Sequence, residues 1–179
     1  MFRPIALAAT LAVAATPALA ALPVGAPAPN FTTQGALAGK TFNFSLAQAL
    51  KKGPVVLYFF PAAFTSGCTI EAKMFADAAG DFHAAGATVI GVSADPIDKL
   101  QRFSVEACRN KFPVAIATPA MIAAYDVRLP VLAGRSNRTS FVIGRDGRVA
   151  FVHSELKPEP HIAGTLAAVR ALGSKRRRG

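Results

Sequence analysis

The chain has 179 residues, 52% of them hydrophobic, and a formal net charge of +10 at pH 7. This length is that of one ordinary domain with a single core and argues against two full domains. The positive charge favours anionic partners. However, Lys and Arg are not interleaved with aromatic residues along the body of the chain, so we expect no nucleic-acid site.

The first twenty residues, MFRPIALAATLAVAATPALA, have the pattern of a secretory signal peptide. Arg3 precedes an apolar stretch, and the ALA triplet at 18–20 is a small-x-small cleavage site. Pro17 interrupts the apolar run, which argues against an uncleaved spanning helix. We therefore expect residues 1–20 to be removed and the protein to be exported to the periplasm, with no stable membrane insertion after cleavage.

Predicted helices and strands alternate along the rest of the chain, after an extended, Pro-rich lead-in. Periodicity, caps and turn residues predict a helix over 45–53 capped by Ser45, a buried strand over 54–60, a helix over 66–84, a buried strand over 87–93, a helix over 95–108 capped by Asp95, a hairpin turning at Asp146-Gly147 and a helix over 160–172. This order predicts an α/β sandwich with a mixed central sheet over residues 21–174, followed by a basic C-terminal tail over 175–179.

The only two cysteines, Cys68 and Cys108, admit two interpretations. In an oxidising compartment they could form a structural disulfide. Alternatively, Cys68 lies in the first turn of a predicted helix, directly after a buried strand. Unpaired backbone N–H groups and the helix dipole stabilise an anion there, and such a position favours the reactive thiolate form of a cysteine. Position alone does not decide between the two.

Two residues before Cys68 favour a reactive thiol. The hydroxyl of Thr65, three residues earlier, can donate to a thiolate and accept from a substrate hydroxyl, or it can simply cap the helix. Pro61 ends the predicted strand and can hold the loop close over the thiol, or it can serve only as a strand terminator.

These residues carry a resemblance to a known family. Pro61, Thr65 and Cys68 in PAAFTSGC match the Pro-x-x-x-Thr-x-x-Cys signature of peroxiredoxins, and YFFP, GCTIEA, GVSAD and RTSFVIGRDGRV resemble its bacterioferritin-comigratory (Q-type) branch. The similarity extends from about Gly25 to the last helix. It implies a thioredoxin-like three-layer sandwich that reduces hydrogen peroxide or organic hydroperoxides at Cys68, without a metal or organic cofactor. It also implies a dithiol electron donor, a thioredoxin-like or glutaredoxin-like protein.

The same resemblance assigns roles to two charged residues. Arg138 is similar to the family's active-site arginine, whose guanidinium holds the thiolate and donates to the peroxide oxygens. Arg135, three residues earlier, is expected to be an exposed loop residue. Glu71 resembles the glutamate that orients this arginine, although a surface position on the helix is an equally open interpretation.

The resemblance also bears on the second cysteine. Many Q-type members carry it five residues after the first, where this chain has Lys73, and others carry it on the following helix, as Cys108 would be. The implied mechanism is a sulfenic acid at Cys68 that condenses with Cys108 into an intramolecular disulfide. Ser66 and Asn30 depart from residues common in the family, but neither change removes a catalytic group.

The three histidines, His83, His153 and His161, lack ligand spacing, and each is expected to be a surface or half-buried residue rather than a metal ligand. The alternative function is a non-catalytic thioredoxin-like domain with a structural disulfide and a basic surface that binds an anionic partner.

Overall fold

The computed structural model describes residues 21–176, which form one mixed sheet covered by helices on both faces. The strands are β1 (Thr32–Leu37), β2 (Lys40–Ser45), β3 (Val55–Phe59), β4 (Thr88–Ser93), β5 (Val114–Ile116), β6 (Thr139–Ile143) and β7 (Val149–Ser154). The helices are α1 (Leu46–Lys52), α2 (Ser66–Asp77), α3 (Ala79–Ala84), α4 (Ile97–Glu106), α5 (Pro119–Ala124) and α6 (Glu159–Arg176). The predicted signal peptide lies outside the described residues. Of the predicted basic tail, only the backbone at 175–176 is described, as the end of α6.

The sheet has seven strands in the order β2-β1-β5-β4-β3-β6-β7. Strands β3, β4 and β5 are parallel to one another, whereas β6 pairs antiparallel with β3, and β1 pairs antiparallel with β5. The hairpins β1–β2 and β6–β7 close the two edges. The α/β sandwich with a mixed central sheet predicted from the sequence is therefore confirmed.

Strand β3 separates two apolar cores because its side chains alternate between the two faces of the sheet. Val56 and Tyr58 pack against α2, α4 and α6, whereas Val55, Leu57 and Phe59 pack against α1 and α5. All five residues of the strand are buried, as expected for a strand with helices on both sides. The continuous apolar run in the sequence reflects this double burial.

Several local predictions are confirmed. The Ser45 hydroxyl accepts a hydrogen bond from the Gln48 amide at 3.4 Å and caps α1. The β6–β7 hairpin turns at Asp146-Gly147, where Gly147 has a φ of +76° that favours glycine. The last helix extends to Arg176, beyond the predicted end at 172.

The prediction of one continuous helix over 66–84 is wrong. It is divided into α2 and α3 at Ala78, whose ψ of 0° departs from helical geometry. Gly80, a weak helix former, follows two residues later and lowers the preference for an unbroken helix. Strands β1, β2 and β5 and the short helix α5 were not predicted.

The topology brings three loop segments together at one end of the strands β3, β4 and β6. The carboxyl ends of parallel strands β3 and β4 lie beside the amino end of β6, because Phe59 of β3 pairs with Thr139 of β6. Pro61 follows β3, Asp95 follows β4, and Arg138 precedes β6. Within residues 21–176, no helix combines the length and apolar character needed to cross a membrane.

Candidate active site

Cys68 is the third residue of α2 and is only 2% exposed. Its side chain belongs to the apolar core that includes Phe60 and Ala72. The amides of the first helical turn have no partners within the helix and form the positive end of the helix dipole. The thiol therefore lies where a negative charge is stabilised but water has little access.

Arg138 brings a guanidinium to this thiol. Its Nη2 lies 3.6 Å from the Cys68 Sγ, while its Nη1 donates to the Glu71 carboxylate. Gly67 leaves room for this approach, because a Cβ at that position would lie 2.9 Å from the Arg138 Nη2. The structure therefore brings together Cys68, Arg138 and Glu71, three of the residues that the sequence singled out.

Glu71 is fully buried rather than at the helix surface. Burial raises the pKa of Glu71 to about 8, against the lowering effect of the Arg138 charge and hydrogen bond. Its contact with Arg138 fits the role of a residue that orients the guanidinium.

The loop between β3 and α2 has a constrained backbone. Phe64 has a left-handed φ of +68°, which is uncommon for a non-glycine residue. Its ring packs edge-on against Phe103 of α4, with centroids 5.2 Å apart, and the Arg102 guanidinium lies over it. The Thr65 hydroxyl donates to the Ala62 carbonyl at 2.9 Å and makes no capping bond to α2.

A second ion-pair cluster, centred on Asp95, holds this loop from the other side. The Asp95 carboxylate accepts hydrogen bonds from the Ala63 amide at 2.6 Å and from the Ser93 hydroxyl at 2.8 Å. It also pairs with Arg135 at 2.8 Å and Lys99 at 3.0 Å. Burial alone would raise the pKa of Asp95, but these hydrogen bonds lower it to about 2.

Two sequence predictions are corrected by this cluster. Asp95 is not the cap of α4, which begins after Pro96 without a side-chain capping bond, because its carboxylate turns back to the Ala63 amide. Arg135 is half-buried rather than an exposed loop residue, because it pairs with Asp95 and also donates to the Pro61 carbonyl at 3.3 Å. Pro61 is thus attached to the network as well as ending the strand.

Asp95→Asn is expected to lower the free energy of unfolding at pH 7 by about 1.5 to 3 kcal/mol, the range for hydrogen bonds to charged groups. Because the folded-state pKa of Asp95 is depressed, its stabilisation is present above pH 3.8 and is lost as the pH falls through about 2. Urea unfolding across this pH range should show that the difference in free energy of unfolding between parent and variant disappears at low pH. Asp98→Asn, at an exposed position in the first turn of α4, is the control. A difference in free energy of unfolding that does not change with pH would contradict the stabilising role of the Asp95 carboxylate.

His161 is fully buried, contrary to the expectation of a surface or half-buried residue. Its Nε2 lies 2.9 Å from the Glu155 carbonyl, and its Nδ1 lies 2.8 Å from the Ser140 hydroxyl and 3.9 Å from the Glu71 Oε1. Burial lowers the pKa of His161 to about 4, so the imidazole is neutral at pH 7. The His161 ring therefore lies next to the Glu71 carboxyl group in the buried part of the site.

Cys108 lies in the turn after α4 and is fully buried. Both cysteines are free thiols, so the structural disulfide of the alternative interpretation is not present. Burial strongly raises the pKa of Cys108, which keeps this thiol protonated while it stays in the core. Cys68 and Cys108 belong to the same apolar core as Tyr58.

Among the described residues, no group of three or more His, Cys, Asp or Glu side chains is arranged to hold a metal ion. The chemistry that the site offers is that of a thiol beside a fixed cation, at a helix start. Such a site supports nucleophilic attack by sulfur, with the guanidinium stabilising charge on a departing oxygen.

Sequence reasoning missed four contributors to this site: Gly67, Asp95, Ser140 and His161. Each acts through a partner distant in the sequence, such as Arg138 for Gly67 and Ala63 for Asp95. The only local signal was the position of Ser140 directly before the apolar run Phe-Val-Ile, which indicates a buried strand around its hydroxyl.

Comparisons with known proteins agree with this geometry. Residues 24–152 match the family described as AhpC/TSA. A protein of Mycobacterium tuberculosis strain H37Rv, named as a peroxiredoxin, is 38% identical over 133 residues, which are 72% of this chain and 86% of the relative. Chloroplastic peroxiredoxin Q of Oryza sativa subsp. japonica is 32% identical over 152 residues, 83% of this chain and 67% of the relative.

Solved structures show the same fold. The crystal structure of peroxidoxin BcpB from Mycobacterium tuberculosis matches with a TM-score of 0.74 and 34% identity, over 83% of this chain and 96% of that one. The reduced 2-Cys peroxiredoxin of Plasmodium vivax matches with a TM-score of 0.75 over 86% of this chain and 83% of that one, but at 20% identity it supports the fold alone. The predicted thioredoxin-like fold is confirmed, and the chain belongs to the AhpC/TSA family as a peroxiredoxin of the bacterioferritin-comigratory (Q-type) branch.

Proposed function

We propose that this thiol-dependent peroxidase reduces hydrogen peroxide or organic hydroperoxides at Cys68 and resolves the product through Cys108. The Cys68 thiolate attacks one peroxide oxygen, the O–O bond breaks, and sulfur is oxidised to a sulfenic acid while the other oxygen leaves as water or an alcohol. The observation that carries this assignment is the Arg138 Nη2, 3.6 Å from the Cys68 Sγ at a helix start. A fixed guanidinium there stabilises both the thiolate and the departing oxygen.

The second step requires Cys108 to leave the core. A thiol that is buried and protonated is a poor nucleophile, and burial raises the pKa of Cys108 far above its ordinary value. Exposure of the turn after α4 would restore its ordinary acidity and bring it within reach of the sulfenic acid. Condensation then forms the S–S bond and releases water.

The backbone after Cys108 supports such an opening. Arg109 and Asn110 both have left-handed conformations, with φ of 53° and 60°, and both are exposed. Residues held in this region cost about 1 to 3 kcal/mol each, although asparagine costs less than most. The Cys108 amide donates to the Phe103 carbonyl in an irregular end to the helix. Unwinding this turn relieves strain as well as breaking hydrogen bonds.

The electron donor is proposed to be a thioredoxin-like or glutaredoxin-like dithiol protein, which reduces the Cys68–Cys108 disulfide by thiol–disulfide exchange. The test is peroxide consumption by the protein without residues 1–20, supplied with each donor class in turn. We expect sustained turnover with at least one donor and the loss of two thiols when one equivalent of peroxide is added without a donor. Unchanged thiols and no peroxide consumption would instead support a non-catalytic domain that binds an anionic partner.

The protein is also proposed to act in the periplasm after cleavage behind Ala20. The Leu22 amide donates to the Tyr125 carbonyl at 3.3 Å, and cleavage after Ala20 leaves this contact in place. Intact-mass measurement of protein from the exported fraction should give a chain that starts at Ala21. A chain that retains Met1 and partitions into membranes would overturn the localisation.

A further inference from the structure

Two acidic groups share one cation in the buried part of the site. Arg138 contacts the Cys68 Sγ through Nη2 and the Glu71 Oε2 through Nη1. All three side chains are buried, with exposures of 2%, 0% and 6% for Cys68, Glu71 and Arg138. A buried charge is tolerated only when it is paired, so one guanidinium balances one negative charge here. If Cys68 is a thiolate, an ionised Glu71 would leave the cluster with an unbalanced negative charge.

The surroundings of the Glu71 Oε1 favour a neutral carboxyl group over a carboxylate. Its Oε1 is buried and has no hydrogen-bond partner among the described residues, and it lies 3.9 Å from the His161 Nδ1. The Glu155 carbonyl can only accept, so the His161 Nε2 carries the imidazole proton and donates to it. Nδ1 of the neutral ring then carries no proton, and its lone pair accepts a hydrogen bond from the Ser140 hydroxyl. Oε1 thus faces a nitrogen that has no proton to donate, and no other N–H or O–H group of the described residues donates to it, which disfavours a carboxylate.

Other elements around Glu71 offer no second cation. The titratable and charged groups that face the cluster are Cys68 on the same helix, Tyr58 from β3, Arg138 at the start of β6, and His161 from α6 with His153 of β7 behind it. Burial raises the pKa of the Tyr58 hydroxyl well above its ordinary value, so this group stays neutral. Within the described part of the chain, Arg138 is the fixed positive charge of the cluster.

We propose that Glu71 is the proton store of the reaction: it holds a proton while Cys68 is a thiolate and gives that proton up when the sulfur becomes neutral. Its role is that of a positioning residue, which acts on the sulfur through Arg138. The inference rests on the proposed role of Cys68 as the peroxide-reactive thiol, and it does not depend on how the sulfenic acid is resolved.

The exchange balances during peroxide reduction. The thiolate, hydrogen peroxide and protonated Glu71 become a sulfenic acid, water and the Glu71 carboxylate. The sulfur–oxygen bond forms as the O–O bond breaks, and sulfur loses two electrons to the peroxide. The departing hydroxide takes a proton from water, and Glu71 releases its stored proton to water, so the protons balance. Arg138 is paired with one negative charge before and after the step, first the thiolate and then the carboxylate, so the buried cluster stays neutral throughout.

Alkylation of Cys68 with iodoacetamide tests the store without peroxide. The reagent turns the thiolate into a neutral thioether and releases iodide, and Cys108→Ala serves as the parent so that one thiol reacts. Protons are counted with an indicator dye in weak buffer, and the thiolate fraction is read from its ultraviolet absorbance at the same pH. Burial raises the pKa of Glu71 to about 8 without any charge on Cys68, so the experiment is run above that pH, where Glu71 of the alkylated protein is a carboxylate.

The parent is expected to release one proton for each Cys68 alkylated, whatever its thiolate fraction, because the cluster holds a proton in either form. Glu71→Gln cannot store a proton and should release only as many protons as there are protonated thiols. Glu106→Gln, at an exposed position on α4, should behave like the parent. If Glu71 were always ionised, the number of protons released by the parent would equal its fraction of protonated Cys68 thiols. That result would overturn the proposal.

An infrared difference spectrum of the parent provides a second test, which holds even if Glu71→Gln does not fold. Alkylation should remove the C=O band of a protonated carboxyl group and add carboxylate bands. A spectrum without loss of the protonated band would also overturn the proposal. Neither measurement uses peroxide, so a failure of the proton store is distinguishable from a failure of peroxidase activity.

Discussion

Replacing Arg138 with methionine is expected to slow the reaction of Cys68 with hydrogen peroxide by about 100- to 1,000-fold, the loss found when one donor is removed from a comparable oxyanion site. The guanidinium contacts both the Cys68 sulfur and the Glu71 carboxylate, and methionine fills similar space without a charge. Stopped-flow measurement of peroxide consumption in a single turnover gives the rate. Thermal unfolding of the same sample shows whether the variant is folded.

Arg170→Met is the matched control, because Arg170 is exposed on α6 and pairs with Asp81 away from the thiol. Its rate should equal that of the parent. If Arg138→Met also reacted at the parent rate, the catalytic role would have to move to another cation. Arg135 would be the first candidate, since it binds the Pro61 carbonyl at the opposite side of the loop.

Cys108→Ala is expected to abolish turnover with a dithiol donor while leaving the first reduction of peroxide intact. Alanine suits the apolar surroundings of this fully buried position, so the fold should tolerate the change. Without a partner thiol, the sulfenic acid at Cys68 persists and is exposed to further oxidation by peroxide. Steady-state consumption should therefore fall to the level of the donor alone, with a preceding burst equal to the protein concentration.

Comparison of the burst with the steady state distinguishes the two roles of the cysteines. A variant that keeps both phases would indicate a one-cysteine mechanism in which the donor attacks the sulfenic acid directly. A variant that loses the burst as well would assign Cys108 to the first step and contradict the proposed order of events.

The sequence predicted those parts of the molecule that depend on neighbouring residues. Ser45 caps α1, the Asp146-Gly147 pair turns the last hairpin, and the apolar run before Pro61 forms the buried strand β3. Each of these features is set by propensity, capping or burial over a few consecutive residues. The spacing of Pro61, Thr65 and Cys68 is a local feature of the same kind.

The missed strands carry weak patterns for physical reasons. The alternation in β2, KTFNFS, rests on only two apolar residues, Phe42 and Phe44, of which Phe42 is exposed, so it is a short signal for an edge strand. Strand β5 has only three residues and α5 only six, too short for a period to be seen. Pairing with β1 and β4 rather than local preference holds β5 in place.

The polar contacts of the site depend on tertiary structure. Arg138 and Glu71 are 67 positions apart, and Asp95 and Arg135 are 40 apart. Their meeting is determined by the pairing of β3 with both β4 and β6, which a single sequence does not reveal. For this reason Asp95 resembled a helix cap and Arg135 an exposed loop residue until their partners were known.

The most direct test of the central claim, that Cys68 is the peroxide-reactive thiol, is to trap its sulfenic acid. Cys108→Ala is treated with one equivalent of hydrogen peroxide in the presence of a sulfenate-reactive dione, and its peptides are analysed by mass spectrometry. The adduct should be found on the peptide containing Cys68, and the additional Cys68→Ser change should abolish both the adduct and the consumption of peroxide. Rapid peroxide reduction that survives Cys68→Ser would contradict the assignment.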